Sequence, residues 1–134
     1  MNRIRIALGL LAGMLLVLSS AAHSLLGWKQ LSRALTTTNA PPDLITGLSI
    51  GWHFAGVAML AFGCIVLYTF TEALRRRPVS FRPVGFIALV YIVFGIWALT
   101  ASNLDPFFLV FIVPGLLLAA ASWRAGVVAS VPGV

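Results

Sequence analysis

His23 and His53 are the residues with the most chemistry to offer in this sequence, because both lie inside long apolar runs. A neutral imidazole ligates metals and haem iron through one ring nitrogen while the other nitrogen holds a hydrogen bond. Ser19 and Ser20 precede His23 by four and three residues, and Ser49 precedes His53 by four. Each serine therefore shares a helical face with its histidine. Small neighbours at those positions leave room for a flat macrocycle. On that chemistry His23 and His53 are candidate ligands for haem, a chlorin or a transition metal, with Ser19, Ser20 and Ser49 as supporting partners at a cofactor site. The same residues admit two other readings: interhelical hydrogen bonds that hold a bundle together, or a proton or substrate site. His23 has the further option of snorkelling toward headgroups. No His-x-x-x-His or His-x-x-Glu pair is present to specify a metal.

The other reactive side chains have plainer explanations. Asp43 follows two prolines and Asp105 precedes one, so both suit helix N-caps. Alternatively, both face an outer mouth near His23 and Asn103, as a proton or cation entry. Glu72 and Arg76 form an i,i+4 pair. Cys64 is the single cysteine, which excludes an internal disulfide and a cysteine metal cluster; it reads as a small apolar filler. The sequence has no Ser-His-Asp spacing, carboxylate pair or phosphate loop, which speaks against a hydrolase.

These residues need elements to position them, and the composition names the kind. Sixty per cent of the 134 residues are hydrophobic and 9% are charged, against roughly 25% charged in soluble domains. That points to an integral membrane protein, expected as a single domain over 1–134. The net charge of +6 is spread in short clusters between apolar runs, where it orients helices rather than binding nucleic acid. Four continuous apolar segments, 4–27, 44–70, 83–101 and 106–123, are each near the ~20 residues that cross ~30 Å of hydrocarbon as a helix. They lack the alternation of lipid-spanning strands. The breaks "TTTNAPPD", "RRRPVSFRP" and "SNLDPFF" carry the prolines and caps that end one helix and start the next. Pro114 predicts a kink in the fourth helix. "WKQLSRAL" (28–35) is too polar to span; Trp28, Leu31 and Leu35 recur at helical spacing, as in a short interfacial helix. The last ten residues read as a short tail.

With the N-terminus inside, Arg3, Arg5, Arg75, Arg76, Arg77, Arg82 and Arg124 are cytoplasmic, against Lys29 and Arg33 outside. That bias predicts both termini in the cytoplasm. The expected fold class is all-α, a four-helix transmembrane bundle, N-in and C-in, in the bacterial inner membrane. Residues 1–22 also meet the recipe for a cleaved signal peptide, but an apolar stretch of about 24 residues exceeds a usual signal core, so a retained helix is expected.

Depth and facing sharpen the histidine reading. His23 lies roughly 7 Å inward from Trp28, and His53 roughly 15 Å past Asp43, on helices that a short outer loop makes neighbours. Thr46, Ser49, His53, Cys64 and Thr71 fall within about 40° of one line at 100° per residue, a polar stripe. Polar groups in lipid turn inward, so both histidines are expected to point into the bundle. Gly9 with Gly13, and Gly47 with Gly51 and Ala55, form small-residue ridges for close helix packing, internal or with a partner.

"AHSLLG" followed by "GWHFAG" resembles small bacterial inner-membrane proteins with His-Ser-x-x-Gly and Trp-His motifs. The likeness covers mainly 21–55, departs at Trp28 and Lys29, and implies no reaction; it singles out His23 and His53. "SSAAHSLLGW" also resembles the chlorophyll-binding stretch of bacterial light-harvesting polypeptides, which span once; that likeness implies pigment or haem ligation only. The expected function is an accessory, assembly or structural membrane subunit acting through helix contacts, with the lipid bilayer, other subunits or a second copy as partners. The alternatives are a haem-, pigment- or metal-binding redox protein, and a small transporter or channel. An enzyme is not the expected class.

Overall fold

A computed structural model describes residues 2–123. The chain runs through α1 (Arg3–Ala22), a π-helical turn (His23–Gly27), α2 (Trp28–Thr37), α3 (Pro42–Leu74), α4 (Arg82–Ala101), a 3-10 turn (Pro106–Phe108) and α5 (Leu109–Ser122). All elements are helical, with no strand among the described residues. Polar and cyclic residues set the starts. The Asn2 side chain accepts from the Ile4 N–H at 3.2 Å, and Pro83 falls in the first turn of α4. Asp105 Oδ1 accepts from the Phe107 N–H at 2.9 Å, as expected of a cap. Three helical stretches, Arg3–Thr37, Pro42–Leu74 and Arg82–Ala101, are long and apolar enough to cross a membrane, while Pro106–Ser122 is shorter.

Several expectations change. Residues 28–35 do not form a separate interfacial helix: dihedrals stay helical at Ala22, Gly27 and Trp28, so α1 continues into α2. The Trp28 N–H reaches back five residues to the His23 carbonyl, and this wider turn absorbs one extra residue without ending the helix. The 35 residues of Arg3–Thr37 make a rod of about 52 Å. Asp43 is not a side-chain cap, because α3 already begins at Pro42; it lies in the first turn, where its charge still suits the helix dipole. Glu72 pairs not with Arg76 but with Arg75 at 3.1 Å and Arg77 at 3.0 Å. Arg76 itself takes a left-handed φ of 60° where α3 ends. Arg124 and the C-terminal tail lie outside the described residues.

Packing follows the small residues. α1 lies antiparallel along α3, α5 packs on α4 and on α1, and α3 meets α4 only narrowly. A Cβ at Gly63 would sit 2.7 Å from Val17 Cγ2 and 3.0 Å from the Val17 backbone nitrogen. Gly9 similarly accommodates the Phe70 ring, and Gly13 accommodates Leu67 and Val66. α4 and α5 interlock reciprocally: Gly95 receives Ile112, and Gly115 receives Ile92. The core comprises Ala12, Leu16, Val66, Phe70, Val84, Ile87, Ala88, Tyr91, Leu118 and Ala121. Phe70 stacks edge-on against Phe81, and Arg5 donates to the Trp123 carbonyl at 2.6 Å. The start of α1, the end of α3, the start of α4 and the end of α5 therefore gather at one end, with Glu72 and its arginines. The buried residues of α3 begin only at Gly56; its first half touches α1, the π turn and α2 and leaves the bundle core.

Candidate functional site

The two motifs that stand out in the sequence interlock in space. His23 and Trp52 stack with centroids 4.2 Å apart and planes 5° from parallel. The Trp52 indole N–H donates to the His23 carbonyl at 2.8 Å. In return His23 Nε2 lies 3.2 Å from the Trp52 carbonyl oxygen; a carbonyl only accepts, so Nε2 carries the hydrogen. One turn away the buried Ser20 hydroxyl donates to the Gly56 carbonyl at 2.8 Å. Two glycines make the fit possible: a Cβ at Gly27 would press on Trp52 Cζ2 at 2.8 Å, and one at Gly56 would collide with Ser24 Oγ. The π turn places Ser20, His23, Ser24 and Gly27 together toward α3, a local distortion that often marks a working part of a helix. A stacked aromatic pair adds about 0.5–1.5 kcal/mol, and an interhelical hydrogen bond in a membrane about 0.6 kcal/mol. The arrangement is a clasp.

The candidate residues divide. Ser20 and His23 belong to the clasp. His53 does not join His23: its ring is exposed, meets the edge of Trp28 at 5.6 Å, and places Nδ1 2.8 Å from the Ser49 carbonyl oxygen. Ser49 thus contributes its backbone rather than its hydroxyl. Ser19 is half-buried and outside the clasp. The polar stripe of α3 does not turn into the bundle: Thr46, His53 and Cys64 are exposed, and Ser49 and Thr71 are half-buried; Cys64 fills no core gap. Thr46 meets its own need by donating to the Pro42 carbonyl at 3.0 Å. Asp43, Asn103 and Asp105 are exposed, and Asp105 is engaged as a cap. Among the described residues, no group of three or more His, Cys, Asp or Glu could hold a metal ion.

Trp52, Ser24, Gly27 and Gly56 escape a reading that looks for ligands. A signal for the two glycines exists, and it has period seven rather than four. Gly13, Ser20 and Gly27 recur every seven residues, as do Ser49, Gly56 and Gly63. A strict heptad of small residues on two antiparallel helices is the seam of a close pair.

Two electrostatic features lie away from the clasp. Glu72, beyond the 44–70 apolar run, has its carboxyl held below the ordinary value of 4.5, first by the hydrogen bond from Arg77. Burial opposes that shift, and the charges of Arg77 and Arg75 with the Arg75 hydrogen bond reinforce it. The buried Tyr91 hydroxyl has no hydrogen-bond partner among the described residues. A shallow depression of about 440 Å³ on α4 is lined by Leu89, Val90, Val93, Phe94 and Trp97, with no polar side chain to orient a ligand.

No family model matches the chain, and no curated protein or solved structure matches it.

Proposed function

We propose that the chain is a four-span protein of the bacterial inner membrane, both ends cytoplasmic, serving as an accessory or assembly subunit through helix contacts. The topology draws on charge: Arg3, Arg5, Arg75, Arg76, Arg77 and Arg82 belong to the end where the clustered helix termini meet, and Lys29 and Arg33 to the other. Pro106–Ser122, 17 residues by its bounds, supplies the fourth span at the lower end of the ~17–25 range.

The observation that carries the helix-contact reading is the uncovered face in the first half of α3, turned away from the clasp. None of its residues before Gly56 is buried, Gly47 and Gly51 have open space around them, and Phe54 is 73% exposed. Gly47, Ile50, Gly51 and Phe54 lie on neighbouring lines of the helix at 100° per residue. Small residues flanked by a large apolar one allow a second helix to approach closely.

A photoreactive residue tests this in native membranes. Placed at Phe54 it is expected to give a discrete protein adduct, and placed at Phe86 of α4, 64% exposed, only lipid adducts. Absence of a protein adduct at Phe54, or the same adduct from both positions, contradicts the proposal.

A further inference from the structure

A second depression, of about 400 Å³, lies where α4 meets the end of α5. Gly85, Leu89 and Ile92 form one wall, and Ala119, Ser122 and Trp123 form the other. Gly85 keeps the slot open, since a Cβ there meets nothing within 4 Å. Leu89 also lines the apolar depression that continues along α4 to Trp97, so the two make one track. From Gly85 to Trp97 the track covers about 18 Å of helix. One leaflet of a bilayer supplies roughly half of the ~30 Å hydrocarbon core, so the track has the length of a single acyl chain.

The polar groups stand at one end of this track. Arg82 is the first residue of α4 and lies about 20° around the helix from both Leu89 and Val93, on the face of the track. It is exposed, and none of the three carboxylate side chains pairs with it. Glu72 is held by Arg75 and Arg77, and Asp43 and Asp105 lie at the other end of the bundle. Arg5 brings a second guanidinium to the same end, 2.6 Å from the Trp123 carbonyl. The half-buried Ser122 hydroxyl gives its hydrogen to the Leu118 carbonyl at 2.7 Å, which leaves its oxygen free to accept. The exposed Trp123 ring is of the kind that settles at headgroup level. Uncompensated positive charge at the mouth of an apolar slot is the complement of an anionic lipid.

We propose that an anionic glycerophospholipid occupies a fixed site here, one acyl chain in the track along α4 and its phosphate on Arg82. The site shares the membrane setting of the helix-contact reading, uses none of the α3 residues given to the partner, and is tested separately from it.

The test is native mass spectrometry of the full chain in mild detergent, with dioleoylphosphatidylglycerol and dioleoylphosphatidylcholine in competition. Their chains are identical, so preference reports the headgroup. The wild type is expected to retain one phosphatidylglycerol in preference. Arg82→Gln should lower that preference about fivefold, the ~1 kcal/mol that one basic residue contributes near an anionic surface. Gly85→Leu, which fills the slot, should lose the bound lipid at unchanged helicity. Arg3→Gln should keep the preference, because Arg3 lies 200° around α1 from Arg5 at 100° per residue. A wild type without preference overturns the proposal, its slot then being left to another helix. So does an Arg82→Gln variant that binds as the wild type does, or a Gly85→Leu variant that still holds the lipid. An equal loss in Arg3→Gln would reduce the site to diffuse charge and overturn it as well.

Discussion

Gly63→Ala is the sharpest probe of how α1 and α3 meet. The added methyl would stand 2.7 Å from Val17 Cγ2, 3.0 Å from the Val17 backbone nitrogen and 3.2 Å from the Gly13 carbonyl oxygen, where ordinary contact begins at 3.4 Å. The side chain of Val17 has some freedom to turn away, but the two backbone atoms do not. The helices must therefore separate locally by roughly half an ångström, and close-packed interiors transmit such a shift to neighbouring contacts. Overpacking of this kind costs about 1–3 kcal/mol. Gly85→Ala in α4 is the matched control, because a methyl there meets nothing within 4 Å and lies outside the surface assigned to a partner; it gains up to about 1 kcal/mol of helix propensity. Reversible unfolding in mixed micelles, with helicity as the signal, compares both variants with the wild type. Opposite signs are expected. A Gly63→Ala protein as stable as the wild type would refute the close approach of α1 and α3.

Tyr91→Phe removes a buried hydroxyl that has no partner among the described residues and is expected to raise stability by about 1–3 kcal/mol; an unchanged or lowered melting temperature contradicts this. Trp52→Phe retains an aromatic ring against His23 but deletes the N–H donated to the His23 carbonyl, with an expected loss of about 1 kcal/mol by unfolding in micelles. No loss would show that this bond contributes nothing. Because Glu72 has a lowered carboxyl value, its ion pairs contribute above pH 4.5 and the contribution disappears as pH falls through the folded value. Melting curves over the acid range should show that limb in the wild type and not in Glu72→Gln; identical limbs contradict the assignment.

Helix placement was legible because its signals are local. Pro83, Asp105 and Pro106 act within one turn of where they stand, and the structure starts its helices there. Asp43 was misplaced by two residues: Pro41 takes the cap position and Pro42 is itself a good first helical position. The continuity of α1 into α2 was hidden because "WKQLSRAL" changes the solvent preference of the helix without breaking its backbone. The clasp was half legible. His23 and Ser20 were picked out as polar groups in apolar surroundings, but Trp52 meets His23 with its indole and main chain, and Gly56 meets Ser20 with its carbonyl, which no ligand motif encodes. The outward turn of His53 was not legible at all. The rule that polar groups face inward assumes an unmet need, and a histidine four residues after Ser49 meets part of that need on its own helix.

The central claim is that the protein works by helix contact through the first half of α3, and particle mass in lipid nanodiscs measures it most directly. Wild-type chains drawn from native membranes should travel in particles carrying more protein than one 14.3 kDa chain. Gly51→Leu, which fills open space rather than the internal bundle, should reduce the protein mass to that of one chain at unchanged helicity. A wild type that is already a single chain, or a Gly51→Leu particle of unchanged mass, would contradict the claim.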